Sequence, residues 1–314
     1  MALKIIIIST TPFIGGECGV MAVGLYPQPA PATTNLPWWS YDIGIVHFIG
    51  MSTEHTYEVG TPQYLWLLND LKSVDRTVTP WVVFGGHRAM YINSNYGGAT
   101  TSDIVVMNLM ISVLEPLLYK YQVNFAFYGH NHVYQRMSAV FNKTIIQKST
   151  TIYQENGEPI ALYENPQATV HAVIGTAGGT FTKNAMNPAP VWNEKYIYEY
   201  GYSRLVAHNA THMDIQWINN RNLSVMDHMI LTQEYPLKAW PLMSSDPDDN
   251  QSASPASVDL TVGASVGIAF GSLSFVVIVA VVVYLWRKSK VAKDVPLSKS
   301  EEFQEESVTG KAVF

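Results

Sequence analysis

Three short runs rich in β-branched and aromatic residues, at 43–49 (IGIVHFI), 81–85 (WVVFG) and 123–129 (VNFAFYG), alternate with two stretches of helical spacing. That alternation constrains the fold more than any other feature of the chain. Thr61 and Pro62 suit an N-cap and a first helical residue, and Tyr64, Leu65, Leu68, Leu71 and Val74 keep helical spacing, which predicts an amphipathic helix over 63–74. In the second stretch Ile104, Val105, Met110, Val113, Leu114, Leu117, Leu118 and Tyr121 fall on one side, and Pro116 should bend the last turns. A β-α-β-α-β order implies an α/β sheet with ligands gathered at the carboxyl ends of its strands.

Histidines stand at two of those ends. The second run leads into Gly86 and His87, the third into Gly129, His130 and His132. Neutral imidazole is a common ligand for zinc and iron, so the residue type and place suggest a metal site, with ordinary loop histidines as the rival reading. The glycines support the first, because glycine lets a backbone turn sharply beside a site. Three histidines can anchor one ion, but a two-metal centre for phosphate ester cleavage, its ions about 4 Å apart, also needs carboxylates to balance charge. His47, His171, His208 and His212 lie in strand-like patterns and read as structural, and His55 and His228 have no partner at useful spacing.

The remainder is strand-rich. Segments 168–179, 202–218 and 222–231 read as antiparallel strands, with a turn at Asn209. The net charge of −6 comes from scattered acids, and no basic stripe precedes the C-terminal end, so nucleic acid is not an expected partner. The single cysteine, Cys18, excludes a disulfide within this sequence and reads as a small buried apolar residue, with a disulfide partner in missing sequence as the rival reading. Residues 26–37 form a Pro-rich loop.

Residues 260–286 carry no charge and exceed the ~20 residues needed to cross a bilayer. Arg287, Lys288, Lys290 and Lys293 follow at once, which places the tail at 287–314 in the cytoplasm and the bulk outside, as in a single-pass type I membrane protein. The polar, Ser- and Pro-rich 244–258 is then a stalk. N-x-[ST] acceptors at Asn142, Asn209, Asn222 and Asn250 all precede the span, in agreement with that orientation. The opening MALKIIIIST lacks a convincing signal-peptide pattern, and the expectation is a chain that begins inside a longer protein.

The stretches TPQYLWLLNDLKSVDRTVTPWVVFGGHRAMY, LEPLLYKYQVNFAFYGHNHVYQR and EYGYSRLVAHNATHMDIQWI resemble, in order, the second half of a purple acid phosphatase of the calcineurin-like metallophosphoesterase superfamily. The resemblance runs from about Gly16 to Ile218 and implies a domain at 38–233 built as an incomplete two-sheet sandwich flanked by helices. It implies hydrolysis of phosphate monoesters at acid pH by iron paired with zinc, manganese or a second iron. By resemblance, His87 and His130 bind the divalent ion and His132 the ferric ion, although Phe84 replaces the usual valine of the first motif. Tyr134 and Arg136 match the end of the second motif and read as structural. No Gly-Asp and no Gly-Asn-His occurs anywhere, so the family's aspartates, asparagine and iron-bound tyrosine have no counterpart. Little turnover is expected of the chain as it stands. A nucleotide pyrophosphatase of the same superfamily and a non-catalytic surface glycoprotein on the same scaffold are the other readings.

Overall fold

A computed structural model describes residues 36–97 and 102–241, together with Pro29 and Ala32. Cys18, Asn250, the predicted stalk, the apolar run at 260–286 and the basic tail lie outside the described residues, as does most of the Pro-rich loop. Among the described residues no helix is long and apolar enough to cross a membrane.

The first predicted strand is a hairpin. β1 (Trp39–Ile43) turns through Gly44 and Ile45 into β2 (Val46–Gly50), and Gly44 takes φ +57°, a left-handed conformation that a near-continuous run of apolar letters conceals. Helix α1 (Pro62–Ser73) starts and ends one residue earlier than predicted, since Val74 already has extended dihedrals. Its buried side is Gln63, Tyr64, Leu67, Leu68 and Leu71, while Leu65 faces outward. Gln63 is buried because its amide closes the preceding loop, accepting from Ser52 N at 2.8 Å and donating to Ser52 O at 2.9 Å. Strand β3 (Trp81–Gly86) follows.

Pro116 does more than bend the next helix. The chain forms α2 (Asp103–Val113), then a separate α3 (Glu115–Lys120) with the proline in its first turn, where a missing N–H costs nothing. Val105 is exposed, and Met107 and Ile111 take the inward places. Beyond it lie β4 (Phe125–Tyr128), β5 (Tyr134–Phe141), β6 (Thr144–Gln147), β7 (Thr150–Tyr153), β8 (Pro159–Tyr163), β9 (Val170–Ile174), β10 (Asn193–Ile197), β11 (Gly201–Asn209), β12 (His212–Asn219) and β13 (Val225–Thr232).

Two sheets result. The larger runs β1-β2-β3-β4-β9-β5-β10, with β6 hairpinned on β5, and the smaller β11-β12-β13-β8-β7. Within the larger sheet β2, β3, β4 and β9 are parallel neighbours. The antiparallel expectation for 168–179 holds on one side and is corrected on the other: β9 is a buried central strand, antiparallel to β5 and parallel to β4, and its continuous apolar sequence suits a strand covered on both faces. The β11–β12 turn falls at Asn209 as the sequence predicts.

Alternate residues of each central strand feed two cores. Val82 and Phe84 of β3, with Ala126 and Tyr128 of β4, pack under Leu67, Leu68, Met107, Met110 and Leu117 of the helices. Trp81 and Val83, with Phe125, Val170 and Ala172, face Leu205, Ile215, Trp217 and Met229 of the smaller sheet. The order is helices, large sheet, small sheet, with the parallel strands all ending on one side.

Candidate metal centre

His87 follows β3 and His130 follows β4, so adjacent parallel strands deliver the two side by side. A main-chain bond from Gly129 N to His87 O, 3.0 Å, ties the two strand ends together. The imidazoles meet edge to face, with His130 Nδ1 3.0 Å from His87 Nε2. His130 itself has φ +58°, a conformation unusual for a residue with a side chain, and it is this turn that swings its ring towards His87.

The other nitrogen of His130, Nε2, lies 3.2 Å from Asp103 Oδ1. Asp103 is buried at the first turn of α2, where its second oxygen accepts from the Ser94 hydroxyl and from Asn131 Nδ2. A carboxylate only accepts, so Nε2 of His130 carries the proton and Nδ1 presents its lone pair towards His87. Burial, together with repulsion from the adjoining His130 ring, pushes the His87 imidazole down to about 4. At mildly acidic pH it is therefore neutral, the form that binds metal.

His132 is held separately. Its Nδ1 lies 2.7 Å from Thr180 O, its backbone N–H donates to Thr182 Oγ1 at 2.9 Å, and the ring packs on Gly179, where an added Cβ would sit 2.5 Å from Cε1. Asn131, between the two histidines, presses on Gly175 so closely that a Cβ there would lie 1.9 Å from Asn131 O.

Imidazole with one nitrogen free and the other on a carboxylate or carbonyl is how metal-bound histidine is oriented. Two nitrogens on one ion at about 2.0–2.1 Å in tetrahedral geometry lie about 3.3 Å apart, so the His87–His130 spacing suits a shared divalent ion. Asp103 cannot join them on that ion, because it holds the opposite side of the His130 ring. Among the described residues no group of three or more His, Cys, Asp or Glu is gathered to hold a metal. The donor set thus fits two nitrogens of one divalent site and lacks the bridging carboxylates of a pair.

The remaining histidines are tied into the fold. His47 bonds Asp42 (2.6 Å) and Asp70 (3.0 Å), and His171 is buried beside Tyr128, with burial holding its pKa down at about 3. His55 bonds Ser52 Oγ. His208 and His228 both reach Asp214 Oδ2 at 3.3 Å; burial raises that carboxyl, but these bonds outweigh it and keep it below its ordinary value. Tyr134 and Arg136 lie in a buried ion network, as a structural reading requires. Asp103, Asn131, Thr180 and Gly179 escaped sequence reasoning. A Ser-Asp pair opening a helix at 102–103 was the one signal that could have pointed to the first.

Residues 168–228 match the family model described as "Iron/zinc purple acid phosphatase-like protein C". Among curated proteins, the chain is 33% identical over 241 residues to "Probable inactive purple acid phosphatase 9" of Arabidopsis thaliana, covering 68% of this chain and 33% of that one. The chain belongs to the purple acid phosphatase-like proteins. It is also 32% identical over 200 residues to "Acid phosphatase type 7" of Mus musculus, across 58% of this chain and 43% of that one. It is 28% identical over 221 residues to a "Nucleotide pyrophosphatase/phosphodiesterase" of Hordeum vulgare, across 70% and 57%. Among solved structures, purple acid phosphatase PPD1 from yellow lupin (Lupinus luteus) seeds superposes with TM-score 0.58 at 26% identity, over 71% of this chain and 37% of that one. The chain spans about a third to just over half of these relatives.

Proposed function

We propose that the chain carries the histidine half of a phosphatase metal centre and acts on phosphate monoesters where bridging carboxylates complete it. The observation that carries this is the pairing of His87 Nε2 with His130 Nδ1 at 3.0 Å while Asp103 holds the far side of the His130 ring. His87 and His130 hold the divalent ion, His132 the second ion, iron by family likeness, and Asp103 and Thr180 O fix the rings. A bound metal pair would supply Lewis-acid stabilisation of the charge that develops on the phosphoryl group. The residues' own share is to present neutral nitrogen and to spend no reorganisation in doing so.

The test is metal content and p-nitrophenyl phosphate hydrolysis at acid pH on the full chain. One divalent ion per chain is expected, lost in His87→Ala, with affinity about 10–100-fold weaker in Asp103→Asn. Turnover of the chain as it stands should be slight. Uptake that is indifferent to both substitutions would sink the metal reading.

A second reading, a non-catalytic membrane glycoprotein on this scaffold, draws support from the lack of a three-ligand group among the described residues and from relatives named "probable inactive". In either case the run at 260–286 anchors the chain with its bulk outside the cytoplasm. Asn142, Asn209 and Asn222 are exposed, which suits glycan attachment. A mobility shift on glycosidase treatment, absent after substitution of these asparagines, checks it.

A further inference from the structure

Four aromatic side chains, Phe181, Tyr196, Tyr198 and Tyr200, gather at the end of the large sheet that carries the histidines. Phe181 stacks on Tyr200 with ring centroids 4.4 Å apart and planes inclined by 25°. Tyr198 meets Phe181 edge-on at 6.3 Å, and Tyr196 lies 5.0 Å from Tyr198. Tyr198 and Tyr200 nonetheless stay 40% and 41% exposed. Large side chains exposed singly are ordinary, whereas a contiguous group of rings at the surface marks a place where something binds.

The main chain sets these rings beside His132. β10 runs antiparallel to β5 with Ile197 opposite Tyr134, so the residues that leave β10, 198–200, emerge alongside the residues that bring His132 to Tyr134. Phe181 arrives on the segment that holds His132 itself. On one side of it Thr180 O lies 2.7 Å from His132 Nδ1; on the other, Thr182 N donates to His132 O at 3.4 Å and Thr182 Oγ1 accepts from His132 N at 2.9 Å. Tyr200 is pinned in turn. Its carbonyl accepts from Asn220 N at 2.8 Å, and the next residue, Gly201, donates its N–H to Thr176 O, just past the carboxyl end of β9, at 3.3 Å. Rings fixed in this way lose little freedom on contact, and an aromatic face stacks on any planar ring. Their place beside His132 makes the occupant part of the ligand that the histidines receive rather than a separate partner.

We infer that Phe181, Tyr198 and Tyr200 form a platform for the leaving group of the ester, so that the substrate is a phosphate monoester of a planar aromatic group, a phenyl ring or a nucleobase. The inference rests on the phosphatase reading for the phosphate, while the ring contact belongs to the platform alone. An aliphatic ester offers no face to stack and is the poorer ligand.

The experiment is saturation-transfer NMR on the full chain, kept in mild detergent because of its apolar run and first free of metal, with detergent alone as the blank. The probes are phenyl phosphate and cyclohexyl phosphate, esters of like size of which only the first has a planar ring. Phenyl phosphate should bind about fivefold tighter or more, the scale of one ring stacked on an aromatic side chain. Phe181→Leu and Tyr200→Ala should each remove most of that preference, and Tyr200→Phe, which keeps the ring, should retain it, all with unchanged thermal melts. Adenosine 5′-monophosphate distinguishes the ring sources: tighter binding than phenyl phosphate identifies a nucleobase, weaker binding a simple aryl group. Zinc should then tighten phenyl phosphate in the parent and not in His87→Ala/His130→Ala. The inference is overturned if the two esters bind alike, if the ring substitutions leave the preference untouched, or if zinc is taken up without tightening phenyl phosphate. A chain that takes up no zinc and keeps the ring preference loses the metal reading and keeps the platform, so the two fail separately.

Discussion

The guanidinium of Arg136 offers the sharpest test of what holds the two sheets together. It extends from β5 in the large sheet to Asp227 on β13 in the small one, with Nε 2.7 Å from Oδ2 and Nη2 3.3 Å from Oδ1. Nη1 meets Glu194 Oε2 at 2.6 Å and Tyr163 OH at 3.0 Å, and Tyr134 OH donates to the same Asp227 oxygen at 2.7 Å. Side-chain exposure is 8% for Arg136 and 6% for Asp227, so neither charge has water to fall back on. Asp227→Leu removes both salt-bridge contacts and orphans the Tyr134 hydroxyl. Breaking one partner of a buried pair costs about 3–5 kcal/mol, against a total stability of about 5–15 kcal/mol. At roughly 2–4 °C per kcal/mol for a domain of this size, the transition should fall by about 6–20 °C. In Arg136→Met/Asp227→Leu both members of that pair are gone, and much of the loss should return, because well-packed apolar replacements of a buried ion pair are often neutral. Glu194 would then rely on Ser138 and Ser149, which already donate to it. Denaturant melts of the parent, of both single variants (Asp227→Leu and Arg136→Met) and of the double variant close the cycle. An Asp227→Leu loss under about 1 kcal/mol would refute the reasoning, as it would place the pair among weak surface bridges.

Gly175→Ala should prevent folding, since its Cβ would lie 1.9 Å from a backbone oxygen that cannot move aside; a soluble, cooperative melt would contradict this. Gly179→Ala should fold and displace the His132 ring, read as loss of the protected Nδ1–H signal in imidazole NMR spectra. Burial lowers the His47 pKa, but the hydrogen bonds to Asp70 and Asp42 outweigh it, so the net shift is upward. Its stabilisation is then complete below the unfolded value of about 6.5 and lost as pH rises through the folded value. The stability gap between the parent and His47→Gln should accordingly shrink from pH 5.5 to pH 8, and a gap that widens would reverse the sign.

The alternation of strand and helix was readable because β-branched runs and helical spacing both leave marks in sequence. So were the two strand ends where His87 and His130 stand. What stayed hidden depends on contacts distant in sequence. The hairpin at Gly44 hides within continuous apolar letters, β9 is parallel to β4 and antiparallel to β5 because of its neighbours rather than its composition, and β5, β7, β8 and β10 follow no strict alternation. Gln63 looks like a surface residue until its loop is seen closing over it. At the site, imidazole announces itself, but Asp103 lies 27 positions before His130 and Thr180 lies 48 after His132, and no local pattern links either to its histidine.

The bond from Gly129 N to His87 O has a consequence for the history of such chains. The two strand ends are locked by main-chain atoms, which removal of the two imidazoles does not itself delete. That link does not depend on the imidazoles the strand ends display, so a lineage could lose them by ordinary mutation and keep its fold, with Asp103 still held by Ser94 and Asn131. Likeness of sequence and fold would then outlive chemistry, and a family of this build should accumulate silent members beside working ones.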